Sequence, residues 1–167
     1  MPRYVDFDED FSLLAVGNDR KAVGRFLRGC YDALGEASVR FVAIDLFGIL
    51  EDGESPFVAS TEEECGALLK RLVSERTDYE VLLVTSGVQT LDRLPPDVAG
   101  LLSDYLTNGG SGTGPSVVMG VEAWQMASRY ESWARVMTSQ GLGLWVGDGF
   151  ADQTVLRYPR LLPAYRQ

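Results

Sequence analysis

The sequence predicts an α/β domain with a mostly parallel central sheet and helices on both faces. Three observations carry this. Short, nearly continuous apolar runs recur along the chain, as strands buried on both faces require. They alternate with segments whose apolar residues fall at helical spacing. Polar, Gly- and Pro-bearing stretches punctuate the two. The 167 residues fit one domain, read as spanning 1–167, with 46 % hydrophobic and 23 % charged residues.

The first strand is expected from Phe11 to Val16, ending at Gly17. A helix from about Arg20 to Leu34 follows, with Val23, Phe26, Leu27, Cys30, Tyr31 and Leu34 on one face. The second strand is expected from Val39 to Leu46. The acidic loop Glu51–Glu54 reads as a solvated turn, and Phe57–Ala59 as a short apolar segment. Thr61 and Glu64 have capping-box spacing ahead of a helix that buries Cys65, Leu68, Leu69, Leu72 and Val73. The third strand is Val81–Val84. Pro95 and Pro96 open a helix with Val98, Leu101, Leu102, Tyr105 and Leu106 on one side. Thr107 to Pro115 reads as a flexible connection. A fourth strand at Ser116–Val121 leads to one helix over about Trp124–Met137. Strands at Leu142–Val146 and Thr154–Tyr158 close the pattern.

Composition removes several functions. The chain has no histidine, which excludes Ser-His-Asp hydrolysis and zinc sites built on imidazole. A net charge of −9 argues against a nucleic-acid groove, which needs clustered Lys and Arg. No apolar run approaches the roughly 18 residues of a membrane span, so direct membrane insertion is not expected. The acidic start, MPRYVDFDED, lacks the features of a signal peptide. Cys30 and Cys65 lie within helices and read as core residues in a reducing compartment.

Parallel sheets place ligands at the C-terminal strand ends, so the end of the first strand is where chemistry belongs. A phosphate-binding loop reads GxxxxGK[ST]: backbone N–H groups cradle phosphates, Lys neutralises them and a hydroxyl holds magnesium. Counted from Gly17, the chain supplies Ala22, Val23 and Gly24 where Gly, Lys and Ser/Thr are needed. With a loop two residues shorter, Arg20, Lys21 and Ala22 take those places, and the hydroxyl is still missing. The third strand ends in Thr85 and Ser86, where an acid would orient the metal. Asp45, ending the second strand, is the available substitute. Arg20 and Lys21 oppose the dipole of the helix they begin. They read first as solvated side chains and second as a weak anion site.

The C-terminal third carries a resemblance. PSVVMGVEAW from Pro115, the helix through SRYESWARVM, and GLGLWVGDGFADQTVLRYP resemble the last part of FtsK/SpoIIIE-type ATPase modules. Glu122 falls at that family's sensor position. Asp152-Gln153-Thr154 falls at its acidic-polar-Thr segment, with Gln153 where motor members carry arginine. More narrowly, the chain looks like the third, degenerate ATPase-like module of the membrane-anchored motor of type VII secretion. The resemblance covers roughly Asp10 to the end.

It implies a RecA-like P-loop NTPase fold, excised from a longer multi-module chain, in a cytoplasmic domain of a membrane-anchored protein. It implies a non-hydrolytic module without a cofactor, binding ATP and magnesium weakly at most. Its degenerate nucleotide-site positions would be Gly17, Arg20, Lys21, Ala22, Thr85, Glu122 and Gln153. Its partners would be the preceding ATPase module and secreted helical substrates of the Trp-Xaa-Gly class. The alternatives are a divergent NTPase that keeps nucleotide binding through Arg20, Lys21 and Asp45, and an unrelated adaptor domain. Gly147-Asp148-Gly149 also reads as a simple tight turn. Trp124, Trp133 and Trp145 read as core packing before they read as a peptide groove.

Overall fold

A computed structural model describes residues 11–75, 77–108 and 114–147, and the backbone of 161–165. Strands β1 (Ser12–Gly17), β2 (Phe41–Ile44), β3 (Val58–Ala59), β4 (Val81–Val84), β5 (Ser116–Glu122), β6 (Leu142–Val146) and β7 (Leu161–Tyr165) form one sheet. Its order is β3-β2-β4-β5-β1-β6-β7, with every neighbouring pair parallel. The helices are α1 (Arg20–Glu36), α2 (Glu62–Ser74), α3 (Gly87–Arg93), α4 (Pro96–Thr107), α5 (Ala123–Met126) and α6 (Ser132–Ser139). This is the RecA-like α/β architecture expected of the sequence.

Strand alternation divides the core in two. Leu13 and Ala15 of β1, Leu83 of β4 and Val118 of β5 pack on α1 through Ala22, Val23 and Leu27. Leu14, Val16, Leu82, Val84 and Met119 face the other way, onto α2, α4 and α6 through Leu69, Leu102 and Met137. The period-2 pattern puts apolar side chains on both faces, so the strands read as unbroken apolar runs. The α1 face also follows the expected spacing, with Phe26, Cys30, Tyr31 and Leu34 partly buried against the same cluster. The Thr61 cap is present. Its Oγ1 accepts from the Glu64 N–H at 3.1 Å, while the Glu64 carboxylate takes the N–H of Ser60 rather than of Thr61.

Several boundaries differ from expectation, each with a local cause. β2 is shorter than 39–46: its C-terminal neighbour Asp45 turns to accept backbone N–H groups of the next loop, which ends the extended run. The single helix over Trp124–Met137 is two, α5 and α6. Between them Arg129 forms a paired hydrogen bond to Asp92 and also reaches Glu131. The helix α3 was unexpected; it begins at Gly87 after Ser86, which has φ of 47°. Val73 is 56 % exposed rather than core. The Glu51–Glu54 loop is the expected solvated turn, with two ties to α1: Glu51 pairs with Arg28 at 3.1 Å, and the Tyr31 hydroxyl donates to Asp52. The strand expected at Thr154–Tyr158 and the turn residues Asp148 and Gly149 lie outside the described residues.

Candidate functional site

Only Asn18 and Asp19 separate β1 from α1. Gly17 ends β1 in register with Glu122, the last residue of β5. It is glycine for space rather than for conformation. A Cβ there would lie 2.5 Å from the Val146 carbonyl oxygen and 3.0 Å from Val23 Cγ2. On the neighbouring β5, under the same face of α1, a Cβ on Gly120 would meet Leu27 Cδ1 at 2.4 Å. These two glycines let α1 settle directly on the sheet. Gly147, with φ of +87°, turns the chain after β6 close over Ala22, 3.1 Å from where its own Cβ would stand.

The first turn of a helix leaves backbone N–H groups unpaired, and a phosphate loop uses them. Here Asp19 takes the N-cap position, and its Oδ1 accepts from the Lys21 N–H at 2.9 Å. A carboxylate therefore already stands where an anion would come. Asp before a helix start is a recognisable capping signal, and the sequence reading passed over it.

The cleft beside this helix start is small. It is lined by Arg20, Ser86, Gln89, Glu122 and Gln125, with Leu27 and Gly120 at its base, and encloses 20 Å³. That is room for roughly one water molecule. Ala22 is buried in the α1 face and offers no hydroxyl. Lys21 is exposed, and neither Arg20 nor Lys21 forms an ion pair with the described residues. Glu122 accepts a hydrogen bond from the Trp124 indole N–H, and Trp124 stands 67 % exposed beside it. So Trp124 is not core packing, unlike Trp133 and Trp145, which are buried.

Thr85 is fully buried and turned away from this cleft. Its hydroxyl lies 2.7 Å from Asp45 Oδ1. Asp45, also buried, accepts from the Ile49 and Leu50 N–H groups, each at 2.9 Å. Both carboxylate oxygens are thus occupied in holding the turn after β2. Of the residues singled out from sequence, Arg20 and Glu122 line the cleft, and Gly17 lies beside Glu122 in the sheet without lining it. Ala22 and Thr85 sit in the core, Lys21 faces solvent, and Gln153 lies outside the described residues. At this helix start the cleft encloses 20 Å³, Ala22 supplies no hydroxyl, and Asp45 is committed to the turn after β2.

No sequence family matches the chain, and no curated protein does. Its fold, however, has a solved counterpart. The chain is similar to the cytoplasmic domain of the Thermomonospora curvata type VII secretion ATPase EccC. The two are 17 % identical, with a TM-score of 0.64. The match covers 88 % of this chain and 20 % of that one, so the chain spans a fifth of the EccC domain's length. At this identity the similarity fixes the fold. Among the described residues, no helix is long and apolar enough to cross a membrane.

Proposed function

We propose that this chain is a non-hydrolytic, RecA-like module of a type VII secretion motor, acting in docking and in regulation of neighbouring ATPase modules. The observation that carries the reading is the closed helix start. Asp19 caps α1, Gly17 abuts Val146, and the adjoining cleft encloses 20 Å³. The fold similarity to EccC supports the motor assignment. In this reading the module belongs to the cytoplasmic part of a membrane-anchored chain. It packs against the preceding ATPase module and helps recruit secreted helical substrates of the Trp-Xaa-Gly class.

Calorimetric titration with Mg-ATP at millimolar concentration tests the nucleotide part. The expected result is no saturable heat, meaning affinity weaker than about 1 mM, or less than about 4 kcal/mol of binding free energy. Saturable micromolar binding would replace this reading with the alternative, a divergent NTPase that keeps nucleotide binding through Arg20, Lys21 and Asp45. The motor part is tested by co-expressing the chain with the ATPase module that precedes it in a longer parent. Failure to co-purify, with both partners folded, would leave an unrelated adaptor domain.

A further inference from the structure

A second concavity lies at the other end of the sheet from the cleft. It is a groove of 940 Å³ where the C-terminal ends of α1 and α2 meet the beginnings of β2 and β4. Its floor is aromatic. Phe41 is buried at the centre, Tyr31 stands edge-on to it at 5.4 Å and 90°, and Phe57 lies on the far side at 6.3 Å. Phe57 is 52 % exposed into this space, and Tyr79 closes one wall. Polar tips and apolar faces combined in this way suit a peptide surface.

The rim is acidic, and its charges are unequally satisfied. Glu75 faces Arg71 at 3.9 Å, and Asp78 faces Arg40 at 3.7 Å. Asp32 and Glu36 have no cationic partner among the described residues. Both break local helix rules. They are four residues apart on one face of α1, where like charges repel. They also sit in its last turns, where the helix dipole already presents negative charge, and the last turn has no basic residue. The hydrogen-bonding groups of the fold give nothing back for this placement.

We infer that this groove docks a cationic amphipathic peptide segment of a partner protein. Its Lys or Arg side chains would answer Asp32 and Glu36 at the end of α1. Its apolar face would cover Phe57, Phe41 and Tyr79. The charge complement selects the occupant: among the described residues the groove is lined by four carboxylates, Asp32, Glu36, Glu75 and Asp78, against two guanidiniums, Arg40 and Arg71, an excess that favours a cationic segment over an acidic or neutral one. The inference stands on the groove alone and does not depend on the motor reading.

The test is fluorescence anisotropy at near-physiological salt with two labelled amphipathic peptides, one of leucine and lysine, the other of leucine and glutamate. The lysine peptide should bind saturably and the glutamate peptide should not. The double variant Asp32→Lys, Glu36→Lys should weaken binding by about tenfold. The reversal Asp97→Lys, Asp104→Lys on α4 makes the same change in net charge and should alter binding by less than about twofold. Phe57→Ser should weaken binding while leaving the circular dichroism melt in place. Equal losses from the two reversals would show attraction by net charge only and overturn the proposal. Equal binding of both peptides, or no saturable binding of either, would overturn it as well.

Discussion

The Thr85 hydroxyl meets Asp45 Oδ1 at 2.7 Å across the C-terminal ends of two neighbouring strands. Register places Ile44 beside Val84, so the next residue of each strand forms this pair. The acid stands one strand away from where a metal-orienting carboxylate would be, and the loop after β2 consumes it. Asp45→Ala removes the two oxygens that accept three hydrogen bonds in a buried site and should cost about 3 kcal/mol. Thr85→Val should cost about 1 kcal/mol. Urea denaturation of the two single variants and the double measures the pair. Because Thr85 donates to Asp45, the double should cost less than the sum.

Gly17 and Gly120 both allow α1 to lie close to the sheet, but they should respond differently to a methyl group. At Gly17 the added Cβ meets a backbone carbonyl, which cannot move alone. At Gly120 it meets the flexible end of Leu27. Gly17→Ala should destabilise by about 3 kcal/mol and Gly120→Ala by about 1–2 kcal/mol. Chemical denaturation midpoints with unchanged slope would check the order.

Asp19→Ala removes the α1 cap and should lower stability by about 1 kcal/mol. It should not create nucleotide binding, because the crowding at Gly17 and Ala22 remains. Calorimetry with Mg-ATP on a folded Asp19→Ala variant separates cap from crowding. Appearance of saturable binding would make Asp19 the sole obstacle.

Burial pushes the Cys30 thiol from 9.0 up to about 11, and the Cys65 thiol to about 12. At pH 8, Cys30 should therefore carry about a hundredfold less thiolate than an ordinary cysteine and react correspondingly slowly with iodoacetamide. The folded state holds these protons longer than the unfolded chain. Their contribution to stability is full below pH 9 and is lost as pH rises from 9 through 11 to 12. Mass-spectrometric labelling rates against pH check this; rapid labelling of Cys30 at pH 8 would contradict it.

Tyr105 donates its hydroxyl to the Pro115 carbonyl at 2.6 Å, fixing the chain where it enters β5. Tyr105→Phe leaves that carbonyl unpaired and should cost about 1–2 kcal/mol, read as a shift in thermal midpoint.

Where the fold was legible, periodicity was the reason. Val23 and Leu27 marked the buried face of α1, and VLLV marked β4, because both depend on which side is dry. The break between α5 and α6 was not legible: Arg129 is held by Asp92, which is distant in sequence and has no local signature. Nor was the strand order, since each apolar run would pair equally well with any other. At the site, Ala22 and Thr85 announced the missing hydroxyl and acid by identity alone. That Thr85 turns to Asp45, and that Asp19 closes the helix start, depends on how two strands and a helix meet.

The place of β1 in the sheet has a consequence for how the chain comes together. β1 precedes the other described strands, yet its neighbours are β5 and β6, about a hundred residues further on. During synthesis, β2, β3 and β4 can pair among themselves while β1 has nothing to join. The apolar stretch Leu13–Val16 must then wait, open to wrong partners, until the last third of the chain emerges. Contacts this distant in sequence make folding slow. They also mean that a chain ending before Ser116 would leave β1 without either of its sheet neighbours.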